Sequence, residues 1–189
     1  NDQFFLPLLP LLQPLLFALS WLLWLPVDTA VKQRILAHAR GLRAQYPDLI
    51  VIGITGSVGK TTTKELLAHI LRDRKVIATP AHVNSEIGVA QWFLSSASEL
   101  RLMGNPMLIV EMGAYRKGEL ALLCSVVQPA LGILTFVGDQ HLALFGSPQA
   151  LMETKGELLD ALPSNGRAFV NGDSDICRAV ALQHCHCPV

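Results

Sequence analysis

Gly53-Ile54-Thr55-Gly56-Ser57-Val58-Gly59-Lys60-Thr61-Thr62-Thr63 follows the apolar run Leu49–Ile52 and opens an amphipathic stretch. A strand, a glycine-rich turn and a helix start in that order predict a phosphate cradle. Backbone N–H groups of Gly56, Ser57, Val58, Gly59 and Lys60 converge on one cavity at the positive end of the helix. Lys60 supplies a cation for the terminal phosphates of a nucleoside triphosphate, and the Thr61 or Thr62 hydroxyl supplies an oxygen for the Mg²⁺ that accompanies them. The pattern is T-G-x-x-G-K-T rather than the fuller G-x-x-x-x-G-K-[ST], because Ile54 stands where the first glycine belongs. A plain glycine turn accounts for Gly56 and Gly59 but not for a lysine and three threonines.

Outward from this turn, short apolar runs alternate with longer helical patterns. Strands are expected at Leu49–Thr55, Val76–Ala78, Met107–Glu111, Leu131–Thr135 and Ala168–Asn171, and helices at Thr61–Arg72, Ile87–Leu94, Glu119–Val127 and Pro148–Leu162. In the first of these helices Leu66, Leu67, Ile70 and Leu71 are expected on one face. The repetition predicts an α/β fold, a mostly parallel sheet with helices on both faces. Sites in such folds lie at the carboxyl ends of the strands. Glu111 ends the run Met107-Leu108-Ile109-Val110 and so reaches the edge where the phosphate turn emerges, as a Mg²⁺ ligand or a group that orients water. His141 follows the next strand and is by itself a weak signal, and Lys155 reads by default as a solvated helix lysine.

Length and charge bound the rest. The 189 residues allow one substantial domain plus a short extra segment, and a formal net charge of zero gives no basic field for nucleic acid. The hydrophobic share of 51% is concentrated at the N-terminus, where Gln3 to Val27 carries no charge. That length fits a span of about 20 residues, with Trp21 and Trp24 placed as interfacial aromatics and Lys32, Arg34, Arg40 and Arg43 as a cytoplasmic basic flank. Pro7, Pro10 and Pro14 interrupt a regular helix and leave Leu15–Leu25 unbroken before Pro26, so a re-entrant or interfacial anchor is the alternative. Val31, Ile35, Leu36, Ala39 and Leu42 then mark an amphipathic helix, lipid-facing or a solvated linker. The expected divisions are residues 1–28, a membrane-associated segment; 29–48, a basic linker helix; and 49–189, the nucleotide-binding domain. Cys124, Cys177, Cys185 and Cys187 define no redox scaffold, and the run His184-Cys185-His186-Cys187 lacks a structural-zinc spacing and falls where another strand should begin.

The ordered segments Ile54–Glu65, Asn84–Val89, Glu111–Ala114, His141-Leu142 with Phe145–Ser147, Lys155–Glu157 and Asn171–Asp173 resemble the central ATP-binding domain of the Mur ligases, which build the peptide of bacterial peptidoglycan. The resemblance runs from about Ile50 to the C-terminus and is strongest toward the branch that joins D-alanyl-D-alanine (D-Ala-D-Ala) to a UDP-N-acetylmuramoyl (UDP-MurNAc) peptide. It implies ATP and Mg²⁺ as cofactors and an acyl-phosphate intermediate, with a UDP-MurNAc-peptide acceptor and D-Ala-D-Ala as partners. By similarity, Lys60, His141 and Lys155 carry catalysis, Thr61, Glu111 and His141 hold metal, Lys155 is a site of carbamylation, and Asn84, Asn171 and Asp173 border the nucleotide. Phe136 and Ala143 depart from the family's usual asparagine and acidic residue. An apolar anchor stands where the UDP-sugar domain belongs, and the chain stops at Val189, so a part of a longer, membrane-tethered enzyme at the inner face of the cytoplasmic membrane is expected. A ligase of the folylpolyglutamate type and a tethered nucleotide-binding scaffold without ligase activity are the other readings.

Overall fold

The structure, a computed structural model, describes residues 9–104, 106–138 and 145–189, with side chains from residue 12 onward. Helix α1 spans Leu9–Ala44, β1 Val51–Thr55, α2 Lys60–Ile70, β2 Val76–Ala78, α3 Glu86–Ser95, α4 Ala97–Met103 and β3 Met107–Glu111. There follow α5 (Glu119–Val127), β4 (Leu131–Leu134), α6 (Pro148–Asp160), β5 (Arg167–Val170) and α7 (Asp175–His184). The five strands form one parallel sheet in the order β2-β3-β1-β4-β5, which puts β1 at its centre.

Strand side chains alternate between faces, and the alternation assigns the helices to layers. Val51, Ile77, Leu108 and Val110 point to one face and pack with Leu36 and Ala39 of α1, Val89 and Phe93 of α3, and Leu120 and Leu123 of α5. Ile52, Ile54 and Ile109 point to the other, against Leu67, Ala68 and Leu71 of α2. Leu134 and Ala168 meet Leu151 and Leu159 of α6 and Val180 of α7 in a third cluster. Each large apolar side chain so enclosed contributes about 1.5–3 kcal/mol of transfer free energy, which is why the sheet interior dominates stability. Gly53 permits a close approach of sheet to helix, since a Cβ there would lie 2.7 Å from the Met112 sulfur and 2.9 Å from Leu158 Cδ1.

Three elements differ from expectation. From Leu9 onward the N-terminal segment is one continuous helix through Pro14 and Pro26 rather than an interrupted one, and Pro7 lies outside the described residues. Each proline removes one backbone bond, and the leucine-rich flanks retain enough of the others to carry the helix past it. The amphipathic half of α1 lays its apolar side on the domain core, with Leu36 and Ala39 buried and Ile35 and Leu42 partly so. In α2 the buried face carries Lys64, Leu67, Ala68 and Leu71, whereas Leu66 and Ile70 are exposed. The phosphate turn fixes the rotation of this helix, and with 3.6 residues per turn the line 64, 67, 68, 71 faces the sheet.

Helices α4 and α7 stand outside the expected alternation. Ser174 accepts from the Cys177 backbone N–H and caps α7, a signal that the crowded histidines and cysteines obscured. Beyond α7 the chain returns to the sheet edge, where Ala168 N donates to Pro188 O at 2.9 Å, and Cys185 and Cys187 place their sulfurs 3.6 Å apart. Among the described residues no group of three or more His, Cys, Asp or Glu side chains is arranged to hold a metal ion.

Candidate functional site

The β1–α2 turn closes against the segment that follows β4. Gly56 and Gly59 both have positive φ, at 150° and 84°, and a Cβ on Gly56 would come within 2.1 Å of Thr135 Oγ1. Only glycine fits that approach. Ser57 N donates to Phe136 O at 2.6 Å, while Ser57 Oγ and the Gly138 backbone exchange bonds of 3.2 Å in both directions. Thr135 Oγ1 donates to Val58 O at 2.7 Å. These ties hold the loop in shape and leave its remaining N–H groups at the start of α2, where the helix dipole favours an anion.

Lys60 folds over the loop and donates to Gly56 O at 2.8 Å and Ser57 O at 3.1 Å. Burial lowers its pKa, and the Glu111 carboxylate partly opposes that shift. Glu111, 2% exposed, stands at the end of β3. Its Oε2 accepts the Thr61 hydroxyl at 3.0 Å, its Oε1 accepts the Asn84 amide at 3.2 Å, and its backbone N–H is held by Thr79 Oγ1 at 3.0 Å. Ser57, Val58, Gly59, Lys60, Thr61, Thr62, Asn84 and Glu111 therefore share one cavity of about 350 Å³. A hydroxyl and a carboxylate side by side, next to a phosphate loop, form an all-oxygen donor set that suits Mg²⁺.

Lys155 is not a solvated helix lysine but is 4% exposed on α6. Its Nζ lies 5.9 Å from the centre of the Phe145 ring. With Gly56, Ser57, Lys60 and Asn84 it lines a small void that adjoins the phosphate cavity. Burial first, and then the Lys60 charge, lower its pKa to about 8, against the opposing pull of Glu119 and Glu157. A cleft with two lysines at one end and a carboxylate–hydroxyl pair at the other can neutralise and align a polyphosphate.

Asn171 lies apart from this group, at the end of β5, in a separate cavity of about 290 Å³ with Thr63, Thr135 and Phe169. Its Oδ1 accepts the Asp173 backbone N–H at 3.0 Å, and Asp173 itself is exposed. His141 lies outside the described residues. Another cavity, of about 910 Å³, opens at the opposite end of the sheet among Arg43, Asp48, Gln128 and Pro163, and none of the expected site residues lines it. Sequence reasoning passed over Lys64, which is fully buried with Nζ 3.4 Å from Glu111 Oε2. A lysine four residues after Lys60, on the sheet-facing line of the helix, was the available signal.

Known proteins share this fold and sequence pattern. Residues 54–186 match the Mur ligase middle domain. The UDP-N-acetylmuramoyl-tripeptide–D-alanyl-D-alanine ligase of Synechocystis is 38% identical over 155 residues, which are 82% of this chain and 32% of that protein. The Mycobacterium bovis protein of the same name is 38% identical over 134 residues, 70% of this chain and 25% of its own. The chain thus spans about a third or less of the length of these curated relatives. Among solved structures, the MurF ligase of Thermotoga maritima in complex with ADP superposes with a TM-score of 0.73 at 32% identity, covering 82% of this chain and 35% of that one. MurF from Acinetobacter baumannii gives 0.72 at 30% identity, covering 80% and 32%. With the family model matched over most of its length and the same fold in solved relatives, the chain belongs to the Mur ligase family and carries its middle domain.

Proposed function

We propose that this chain provides the ATP site of an ATP-dependent amide-forming ligase of peptidoglycan precursor synthesis, one that adds D-Ala-D-Ala to a UDP-MurNAc-tripeptide. The observation that carries the reading is the convergence of Lys60, the Thr61–Glu111 pair and buried Lys155 on one cleft at the carboxyl end of the sheet. In the first step an acceptor carboxylate oxygen attacks the γ-phosphorus, the bond to the β-phosphate oxygen breaks, and ADP leaves. In the second the amine of D-Ala-D-Ala attacks the acyl carbon, phosphate departs with the electron pair, and the ammonium proton passes to water.

Phosphoryl transfer of this kind needs charge neutralisation and alignment more than covalent catalysis. The loop N–H groups left open beside Ser57, those of Gly56, Val58, Gly59 and Lys60, would orient the β- and γ-phosphates, with Lys60 exchanging its two loop carbonyls for phosphate oxygens. Thr61 and Glu111 would hold Mg²⁺, which would neutralise negative charge on the phosphates. Asn84 fixes the plane of the Glu111 carboxylate through Oε1. His141 is assigned to a second metal near the acceptor. Lys155, poised near neutrality, takes up CO₂ as its free amine and releases a proton, which turns a cation into an anionic carbamate. Asn171 and Asp173 serve the nucleoside end, across Thr135 from the phosphates.

The apolar part of α1 is assigned to the membrane, with the domain on the cytoplasmic side. Its span Leu12–Ala44 is long and apolar enough to cross a bilayer by length and composition, and Trp21 and Trp24 are each 65% exposed. The test of function is ADP release by the complete gene product. Release that requires both UDP-MurNAc-tripeptide and D-Ala-D-Ala is expected. Release driven instead by a folate acceptor, or none with any amine and carboxylate pair, would overturn the assignment. The 189 residues on their own are expected to bind Mg²⁺-nucleotide weakly and to ligate nothing, because they match only about a third of the length of their relatives.

A further inference from the structure

We propose that Lys64 is an internal counter-cation for Glu111 that makes divalent-metal binding at the Thr61–Glu111 pair conditional on nucleotide. The inference rests on the assignment of that pair as the metal site. Lys64 is 0% exposed, and its Nζ reaches the same oxygen, Glu111 Oε2, that accepts the Thr61 hydroxyl, at 3.4 Å and 3.0 Å respectively. Its other partners are Pro80 O at 3.4 Å and Glu65 Oε1 at 3.3 Å. Glu65 is 66% exposed, so water largely answers its charge, and Glu111 is the buried anion that Lys64 compensates.

The placement follows from the helix. Thr61 and Lys64 stand three residues apart on α2 and so share the face turned to β3, where one carboxylate meets both. The other Glu111 oxygen is occupied by Asn84. Lys60 also lies close enough for its charge to be felt by Glu111. A bare dication that approached Thr61 and Glu111 would therefore meet a carboxylate already neutralised by Lys64, with a second cation beside it. Nucleotide phosphates reverse that balance, because they bring several negative charges to the Lys60 side of the cavity and leave the Glu111 oxygen available to the metal they carry. The site thus takes metal and nucleotide as a unit. Lys64 acts as a positioning residue, through Glu111, and touches neither phosphate nor reacting carbon.

Mn²⁺ binding to the full chain in mild detergent, followed by electron paramagnetic resonance with and without ADP, tests this. Wild type is expected to bind Mn²⁺ at least tenfold more tightly with ADP than without. Lys64→Gln, which keeps a donor for Pro80 O but removes the charge, is expected to tighten nucleotide-free Mn²⁺ binding at least tenfold and to gain melting temperature on Mn²⁺ addition. Lys64→Arg is expected to behave as wild type. Equal affinity of wild type with and without ADP, or a Lys64→Gln chain whose folding and metal affinity ignore Mn²⁺, would overturn the proposal. Loss of all Mn²⁺ binding in the wild-type ADP complex would instead remove the Thr61–Glu111 metal site, and the inference with it. If Lys64→Gln folds only when Mn²⁺ is added, the metal has replaced the missing cation and the proposal is supported.

Discussion

Lys60 illustrates how much a single side chain carries here. It folds across the phosphate loop and donates to the carbonyls of Gly56 and Ser57. Lys60→Ala is expected to weaken Mg²⁺-ATP binding or lower turnover on the order of 10²-fold, as loss of one preorganised donor does elsewhere, and nucleotide titration would show it. Lys155 supplies a pH signature. Its folded pKa of about 8 lies below the unfolded 10.5, so between those values the unfolded chain holds more protons and stability rises with pH. Below pH 8 the full penalty is present, up to about 3 kcal/mol. Lys155→Met is therefore expected to raise the melting temperature at pH 7, with a gain that shrinks toward pH 10.5, and calorimetry across that range checks it. The phosphate loop and Glu111 were legible because the local order of residue types carries their chemistry. Lys155 and Lys64 were not, because a lysine's burial depends on which way its helix is turned, and tertiary packing decides that.

At the scale of elements, the strands and most helices followed from period and length, whereas α1 and α2 departed where a neighbour overrode a local rule. The basic flank is the instructive case. Arg43 is 5% exposed and donates to the backbone oxygens of Val127, Tyr46 and Leu49, and Arg40 donates to Ser125 Oγ at 2.8 Å. Charge counting reads both as a basic flank that marks the cytoplasmic side, and the structure uses them to fasten α1 to α5 and to the entry of β1. Arg43→Ala leaves three buried or part-buried carbonyls short of a charged donor and is expected to cost about 2–4 kcal/mol in urea denaturation. Lys32, by contrast, is exposed and pairs with Asp28 at 2.7 Å, one helical turn away. Such an exposed pair contributes about 0.3–0.5 kcal/mol, so its loss should be barely measurable.

For the whole molecule, the proposed anchor and the face that packs on the core lie on one helix, Leu9–Ala44. The chain is expected to float with liposomes in a density gradient, and removal of residues 1–27 to abolish flotation while nucleotide affinity changes less than about twofold, since the core face of α1 begins only at Ile35. The unbroken course of α1 also sets a clearance. From Val27, the last exposed apolar residue of the leucine-rich stretch, to Ile35, the first to pack on the core, eight residues rise about 12 Å. That gap exceeds the screening distance of about 8 Å at physiological ionic strength and falls well inside the 30 Å of dilute buffer. The field of an anionic bilayer would therefore be largely screened at the core face of α1 at physiological salt and felt there in dilute buffer, so nucleotide affinity is expected to fall as salt is lowered.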